Sequence, residues 1–367
     1  MVRVLVPVFP ADIHAKSVRR ALHSKGHEAV FLYGGDYPTR QQASLHLSHE
    51  AGLMWKLSAQ GHDLSNKKFD VVWYRRPTLP ILPEDMHPGD KTIARRECIA
   101  FNRGFWGLVA PSAFWVNPIA GRDRALSKPI QLYEALHAGL RIPPTLCSND
   151  PGEIRRFLAK YSGEAIYKGY LPAQWDMGDG IAHLYTSEIT PDDLPDDEVL
   201  KLSPGIFQKK IDKDYELRVT YMGDYSCTAK LLSQQHPRAR LDWRPVGTEI
   251  EITLGELPEE VDIACRLLMR NLGIVFGCFD FIVTPKGEHV FLEVNEMGQF
   301  LWLEEAYPDL LLLESFCSFL IQGWLDHDWR PSGKVVSFKD FRDDLQDEKE
   351  EESLHIEVPN YVMVNDL

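Results

Sequence analysis

Between Phe276 and Asn295 the chain writes two apolar runs, FGCFDFIVT and HVFLEVN, around Pro285-Lys286-Gly287. Both read as strands, and the Pro-Lys-Gly break between them reads as a turn. Every residue of such a pair ought to pack inward or flank a buried strand, yet Asp280, Glu293 and Asn295 interrupt the pattern. Glu293 and Asn295 lie two apart, so on one strand their side chains share a face. If the runs pair as a hairpin, Asp280 joins them. Two carboxylates and an amide oxygen make a hard, all-oxygen site of the kind that takes Mg²⁺ together with a nucleotide's phosphates. A sheet edge carrying three solvated polar residues is the competing reading, and residue types alone do not separate the two.

The remainder of the chain predicts a layered α/β (α+β) protein of two or three core-forming units over 367 residues. Val2 to Val8 reads as a strand, Ile13 to Lys25 as a helix stopped by Gly26, and Glu28 to Tyr33 as a second strand. With a strand at Asp70 to Tyr74 and a helix from about Lys91 to Leu108, the first third reads as a parallel α/β unit. A helix from about Ala125 to Ala138 ends at Gly139, and another follows Asn149-Asp150-Pro151. Ala165 to Lys168 and Gly205 to Gln208 read as strands. Leu217 to Leu232 reads as a hairpin turning at Met222-Gly223-Asp224, Val261 to Leu272 as an amphipathic helix, and Leu310 to Trp324 as the last helix. Leu171 to His183 reads as a mobile loop. Asp340 to Glu352 holds eight acidic and two basic residues and reads as a solvated segment.

Composition excludes several classes. Net charge is -14, which argues against a sequence-blind grip on nucleic acid. No apolar run reaches the roughly 20 residues that cross a bilayer, and MVRVLVPVFP reads as a strand rather than a signal peptide. The six cysteines form no CxxC pair and read as buried free thiols of a cytoplasmic protein.

A magnesium-nucleotide site also needs cations on the phosphates. Lys168 closes a strand before the loop, Lys128 opens a helix, and Arg218 and Arg244 lie on or beside the hairpin. Each alone is better read as a surface ion pair. Their order, however, resembles the ATP-grasp ligases, and more narrowly the microviridin-type peptide ligases that cross-link ribosomal peptides called graspetides. The matching segments are Trp73-Tyr74-Arg75-Arg76-Pro77, Lys128 with Gln131-Leu132 and Ala135, Gly139 to Leu146, Asn149-Asp150-Pro151, Phe207-Gln208, Glu216 to Thr220, Asp242-Trp243-Arg244, Phe291 to Asn295 and Gly298 to Glu304. They cover about residues 1 to 325.

That resemblance implies an ATP-grasp fold with a parallel pre-ATP-grasp domain (1–118), a central lid subdomain (119–206), a catalytic subdomain (207–328) and an acidic tail (329–367). It implies that Lys128 and Lys168 contact phosphates, that Gln208, Lys209, Lys210 and Ile211 present backbone to adenine, and that Glu216 meets the ribose. Arg244 corresponds to the arginine at the terminal phosphate or acyl-phosphate, with Lys168 and Arg218 beside it in the catalytic set. Asp280, Glu293 and Asn295 correspond to the magnesium ligands. Arg75 and Arg76 stand where a substrate carboxylate could be gripped, or where an ion pair fixes the domain junction. The implied cofactors are ATP and Mg²⁺, and the implied partner is a precursor peptide with leader and core. The implied reaction makes an acyl-phosphate from a side-chain carboxylate, which a hydroxyl or amine then attacks to give an ester or amide. A ligase joining an amino acid or small acid to a peptide, or a non-catalytic nucleotide-binding regulator, would carry the same ATP residues. The loop differs from many ATP-grasp enzymes in having only Gly178 and Gly180, and the tail has no counterpart. A homodimer is left open, with Phe300 to Tyr307 either interface or core.

Overall fold

The β-branched N-terminal run forms strand β1 (Arg3–Val8), and Asp12 caps the helix that follows, α1 (Ile13–Ser24), by accepting the Ala15 amide at 2.8 Å. Strand β2 (Glu28–Tyr33) pairs with β1 in parallel. Three strands then make an antiparallel sheet that the sequence reading did not anticipate: β3 (Gln41–Ser48), β4 (Gly52–Ala59) and β5 (His62–Asp63). In it Ala43, Leu45 and Leu47 pair with Leu57, Trp55 and Leu53, which gathers one apolar face, and Trp55 meets the ring of Phe105. Strand β6 (Val71–Trp73), helix α2 (Pro88–Val109) and strand β7 (Phe114–Val116) complete a parallel sheet of order β2-β1-β6-β7. The structure, a computed structural model, describes residues 1–59, 62–170, 174–176, 181–183, 185–327, 329–331, 335–342 and 352–356.

The chain divides into two units, Met1–Pro118 with Leu311–Leu367, and Ile119–Leu310. In the second, the expected helix over 125–138 is two helices, α3 (Ile119–Leu126) and α4 (Lys128–His137), broken at Ser127. Ser127 has extended backbone and Pro129 follows within the first turn of α4, so a new helix starts there. Then come β8 (Thr145–Ser148), α5 (Pro151–Lys160), β9 (Ala165–Lys168), β10 (Gln174–Asp176), β11 (Ile181–His183), β12 (Ser187–Glu188), α6 (Asp197–Leu200) and β13 (Gly205–Lys209). Strands β12-β9-β13-β8 form one antiparallel sheet, packed on α5 through Ile154, Leu158, Ala165 and Phe207. Strands β10 and β11 pair with each other, and the rest of the expected 171–183 loop lies outside the described residues.

Strands β14 (Tyr215–Met222), β15 (Tyr225–Leu231) and β16 (Ile252–Leu254), helix α7 (Glu259–Leu272), and strands β17 (Phe276–Val283) and β18 (His289–Asn295) follow. The five strands form a sheet of order β16-β15-β14-β17-β18. One face, with Leu217, Val219, Phe279, Phe281, Phe291 and Val294, packs on Leu132, Ala135, Leu268 and Leu272 of the helices. Burying each phenylalanine there is worth roughly 1.5–3 kcal/mol. Gly121 of α3 lies so close to the end of α7 that a Cβ on it would come 2.0 Å from the Gly273 carbonyl oxygen. Helix α8 (Leu301–Ala306) buries Leu301 and Leu303 beside Phe300, so this aromatic stretch is largely core.

Helix α9 (Leu312–Gln322) returns to the first unit, where Phe316 and Phe319 meet the rings of Trp73 and Phe114. Of the acidic stretch 340–352 expected to be solvated, Asp340 and Arg342 are exposed, whereas tail residues just before it are packed. Val336 and Phe338 are buried, and the Val336 amide donates to Glu314, which also accepts from Lys25 Nζ at 2.8 Å. Four cysteines are buried, Cys98 is half-buried, and Cys147, expected inside, is exposed. Among the described residues no helix is long and apolar enough to cross a membrane.

Candidate active site

Phe291, Glu293 and Asn295 have the same parity, so on an unbroken strand all three would face the core together. The pairing of β17 with β18 prevents this. Asp280 pairs with Glu293 but Phe281 pairs with Phe291, so Leu292 is an extra residue, a bulge that reverses the alternation. Phe291 and Val294 therefore enter the core, and Glu293 and Asn295 turn to the opposite face with Asp280. Arg218, directly across β14 from Asp280, donates Nη1 to its Oδ2 at 2.6 Å and Nη2 to the Gln299 carbonyl at 3.3 Å. Asn295 Nδ2 donates to the same Oδ2 at 3.0 Å.

Two elements bring the lysines. Lys128 begins α4, and its Nζ lies 3.5 Å from Glu293 Oε2 and donates to the Gly169 carbonyl at 3.2 Å. Lys168 ends β9 near Glu293, Lys128 and Arg244. Burial pushes the Lys168 ammonium below its ordinary pKa, and Lys128 and Arg244 push the same way against Glu293. Burial would raise Glu293, but Lys128, Lys168, Arg244 and Arg218 outweigh it and hold its carboxyl low. For Asp280 burial prevails over Arg218, and Glu293 adds to the rise. Arg244 is clamped on Asp242, with Nε at 2.9 Å from Oδ1, and burial of Asp242 is outweighed by that contact, so it stays ionised. Counting Asp242, four cations face three carboxylates, a net positive pocket suited to a polyanion.

Gln131, about one turn along α4 from Lys128, ties this helix to β18. Its Oε1 accepts the Val294 amide at 2.8 Å and its Nε2 donates to the Val294 carbonyl at 3.0 Å. Arg122 of α3 pairs with Glu296, both buried, at 3.6 Å. Neither contact is legible from local sequence, because the partners lie far along the chain.

The adenine residues are only partly placed as expected. Gln208 is buried, donates Nε2 to Thr145 at 3.0 Å, and leaves Oε1 buried with no hydrogen-bond partner among the described residues, as an acceptor awaiting a donor would be. The amides of Lys209 and Lys210 already donate to the Pro144 and Glu164 carbonyls, so neither amide is open to a ligand, and Ile211 follows them. The Lys209 and Lys210 ammoniums pair with Glu164 and Glu188. Glu216 is buried and accepts from Lys213 Nζ at 2.7 Å and Ser233 Oγ at 2.8 Å. In the other unit, Arg75 is buried with its Nε 3.2 Å from Asp12 Oδ2, and Arg76 lies 4.0 Å from the same oxygen. Burial opposes ionisation of Asp12, but Arg75, His14 and Arg76 overcome it. Of the two readings of this pair, the ion pair is the one whose partner is visible.

Asp280, Glu293 and Asn295 fit a hard cation, as oxygen donors turned to one face by the bulge. Among the described residues no group of three or more His, Cys, Asp or Glu side chains is placed to hold a metal. A cation here therefore draws on Asn295 and on oxygens brought by the substrate.

Residues 4–123 match the family described as the MvdD pre-ATP grasp domain. No curated protein sequence matches the chain. Among solved structures, it is 30% identical to macrocyclase MdnB from Microcystis aeruginosa MRC, covering 87% of this chain and 99% of that one, with a TM-score of 0.73. It is 27% identical to macrocyclase MdnC of the same organism, bound with precursor peptide MdnA, covering 88% of this chain and 100% of that one at a TM-score of 0.76. It is 25% identical to the Chryseobacterium gregarium RiPP-associated ATP-grasp ligase in complex with ADP and a leader and core peptide, covering 90% and 100% at a TM-score of 0.80.

Proposed function

Since the chain belongs to the ATP-grasp peptide ligases that include macrocyclase MdnB, we infer that it activates side-chain carboxylates of a ribosomal precursor peptide and closes them into ester or amide cross-links. The observation that carries this reading is the convergence of Lys128 and Arg218 on Glu293 and Asp280, with Lys168 and Arg244 close by, on the face away from the core. A peptide carboxylate is a poor acyl donor at neutral pH. A carboxylate oxygen attacks the γ-phosphorus of ATP, the bond to the bridging oxygen breaks, and ADP leaves. A hydroxyl or amine then attacks the acyl carbon, and phosphate leaves with the oxygen. The peptide loses one water per bond, and one ATP becomes ADP and phosphate.

Such a reaction needs positioning and charge stabilisation rather than an activated nucleophile. Asp280, Glu293 and Asn295 would hold Mg²⁺. When bound, Mg²⁺ neutralises phosphate charge and polarises the transferred group. Lys128 and Lys168 hold phosphate oxygens, and an anion beside Lys168 restores the proton affinity that burial takes away. Arg244 stabilises charge on the transferred phosphoryl group, and Arg218 fixes the Asp280 carboxylate. Gln208 Oε1 accepts from the base.

The leader of the peptide would lie in the groove between β15, β16 and α7, where Tyr225, Leu254 and Leu257 stand beside Glu256, Glu259 and Asp262. Tyr221, on β14 beneath this groove, is fully buried and donates to Asp262 at 2.7 Å, so substituting it probes stability rather than binding.

Intact mass spectrometry of the peptide encoded beside the gene, with the protein, ATP and Mg²⁺, tests the reading. Stepwise loss of water, absent with Glu293→Gln, is expected. An unchanged peptide with ATP still consumed would replace this function with ligation to a separate acceptor.

A further inference from the structure

Open parallel sheets bind ligands outside the carboxyl ends of their strands. In the first unit that place is taken by five residues of the chain's own tail. Lys16, on α1, and Asp36, just past β2, are opposite charges that the fold buries, exposed by only 3% and 2%. Each is satisfied by the tail. Lys16 Nζ pairs with Glu352. Asp36 accepts His355 Nδ1 at 2.7 Å on one oxygen and the Ile356 amide at 2.8 Å on the other. The His355 ring lies 3.7 Å from that of Tyr33, and Arg40 Nη1 donates to the Leu354 carbonyl at 2.8 Å. Backbone and side-chain groups of one short turn, closed by the His355 amide on the Glu352 carbonyl, are thus read together, by buried charges whose desolvation is costly without a partner.

We propose that the crevice walled by Lys16, Tyr33, Asp36 and Arg40 is a peptide-binding site, selective for a segment with Glu followed three residues later by His and then a residue with a free backbone amide, and that Glu352–Ile356 is its internal ligand. The site takes the chain's own tail in preference to any free peptide because a tethered segment competes at an effective concentration on the order of millimolar. A free peptide of the same sequence that binds with a Kd of about 10 μM once the tail is released should therefore bind the intact chain about 100-fold more weakly. This crevice belongs to the first unit alone and its peptide binding needs no ATP, so it stands or falls separately from the ligase reading.

The test uses a fluorescein-labelled peptide with the sequence of residues 350–358 and the full-length protein. The double variant Glu352→Ala, His355→Ala, whose tail is weakened, should bind the peptide at least about tenfold more tightly than the wild type, the lower bound of that competition. Adding Lys16→Met should abolish the gain, and a scrambled peptide should not bind. Equal binding by wild type and double variant, or no binding by a double variant with a normal melt, would overturn the proposal. Hydrogen exchange on the unaltered protein gives a second readout that needs no variant. The Ile356 amide should be protected, and exchange there at the rate of a free peptide would also overturn it.

Discussion

Glu293 is held charged by four cations, Lys128, Lys168, Arg244 and Arg218, so its replacement removes a charge that offsets theirs. Glu293→Gln is expected to cut the rate of ADP formation roughly 10²–10³-fold, the usual cost of removing one preorganised charge-stabilising group. The melting temperature should barely move, and a coupled ADP assay beside a thermal melt separates the two effects. Gln131 is the complementary case. Its side chain pairs with both backbone groups of Val294, and Gln131→Leu leaves them buried without partners. A cost of roughly 1–3 kcal/mol follows, read as a lower melting temperature, and the ADP rate should fall because β18 carries Glu293. Asp280, Glu293 and Asn295 stand out in the sequence because polar residues inside apolar strands demand a reason. Gln131 does not, because it is an ordinary helix residue whose partner lies 163 positions away. The bulge at Leu292 is hidden as well, since nothing in FLEVN says that Phe291 and Glu293 face opposite ways.

Elements meet most tightly where α3 crosses the end of α7. A methyl group on Gly121 has only backbone in front of it, so the helices must part to admit it. Gly121→Ala is expected to destabilise the second unit by roughly 1–3 kcal/mol, seen as an earlier denaturant midpoint. In the first unit Trp55 anchors the β3–β4 hairpin on α2, and Trp55→Ala should cost about 3–5 kcal/mol by the same measurement. The parallel strands were legible because β-branched runs alternated with helical spacing. The hairpin was not recognised, although Ala43, Leu45 and Leu47 alternate before Gly52. That signal was short, and much of the apolar edge it makes stays exposed, with Leu47 at 70%. The break at Ser127 is hidden in the sequence because the apolar spacing of α3 and α4 runs on across it.

For the molecule as a whole, a net charge of -14 and acidic residues beside the β15–α7 groove favour a basic leader. Its affinity should weaken several-fold between low and high salt, as titrations across about 0.05 to 0.5 M NaCl would read, because a Debye length near 10 Å at 0.1 M screens such attraction. A leader whose affinity ignored salt would place recognition in apolar contacts instead. The return of the chain to its first unit was not legible in the sequence. Contacts such as Trp73 with Phe316 join residues with no local signature of their partnership. That return has a consequence during synthesis. The first unit is begun by residues 1–118 and finished by 311–367, with the whole of 119–310 made in between. At roughly 5–20 residues per second, the opening strands wait on the order of 10–40 seconds for the helix that covers them. The second unit, though started later, is the first whose residues are all available, so the ribosome delivers it whole before the unit that precedes it in the gene.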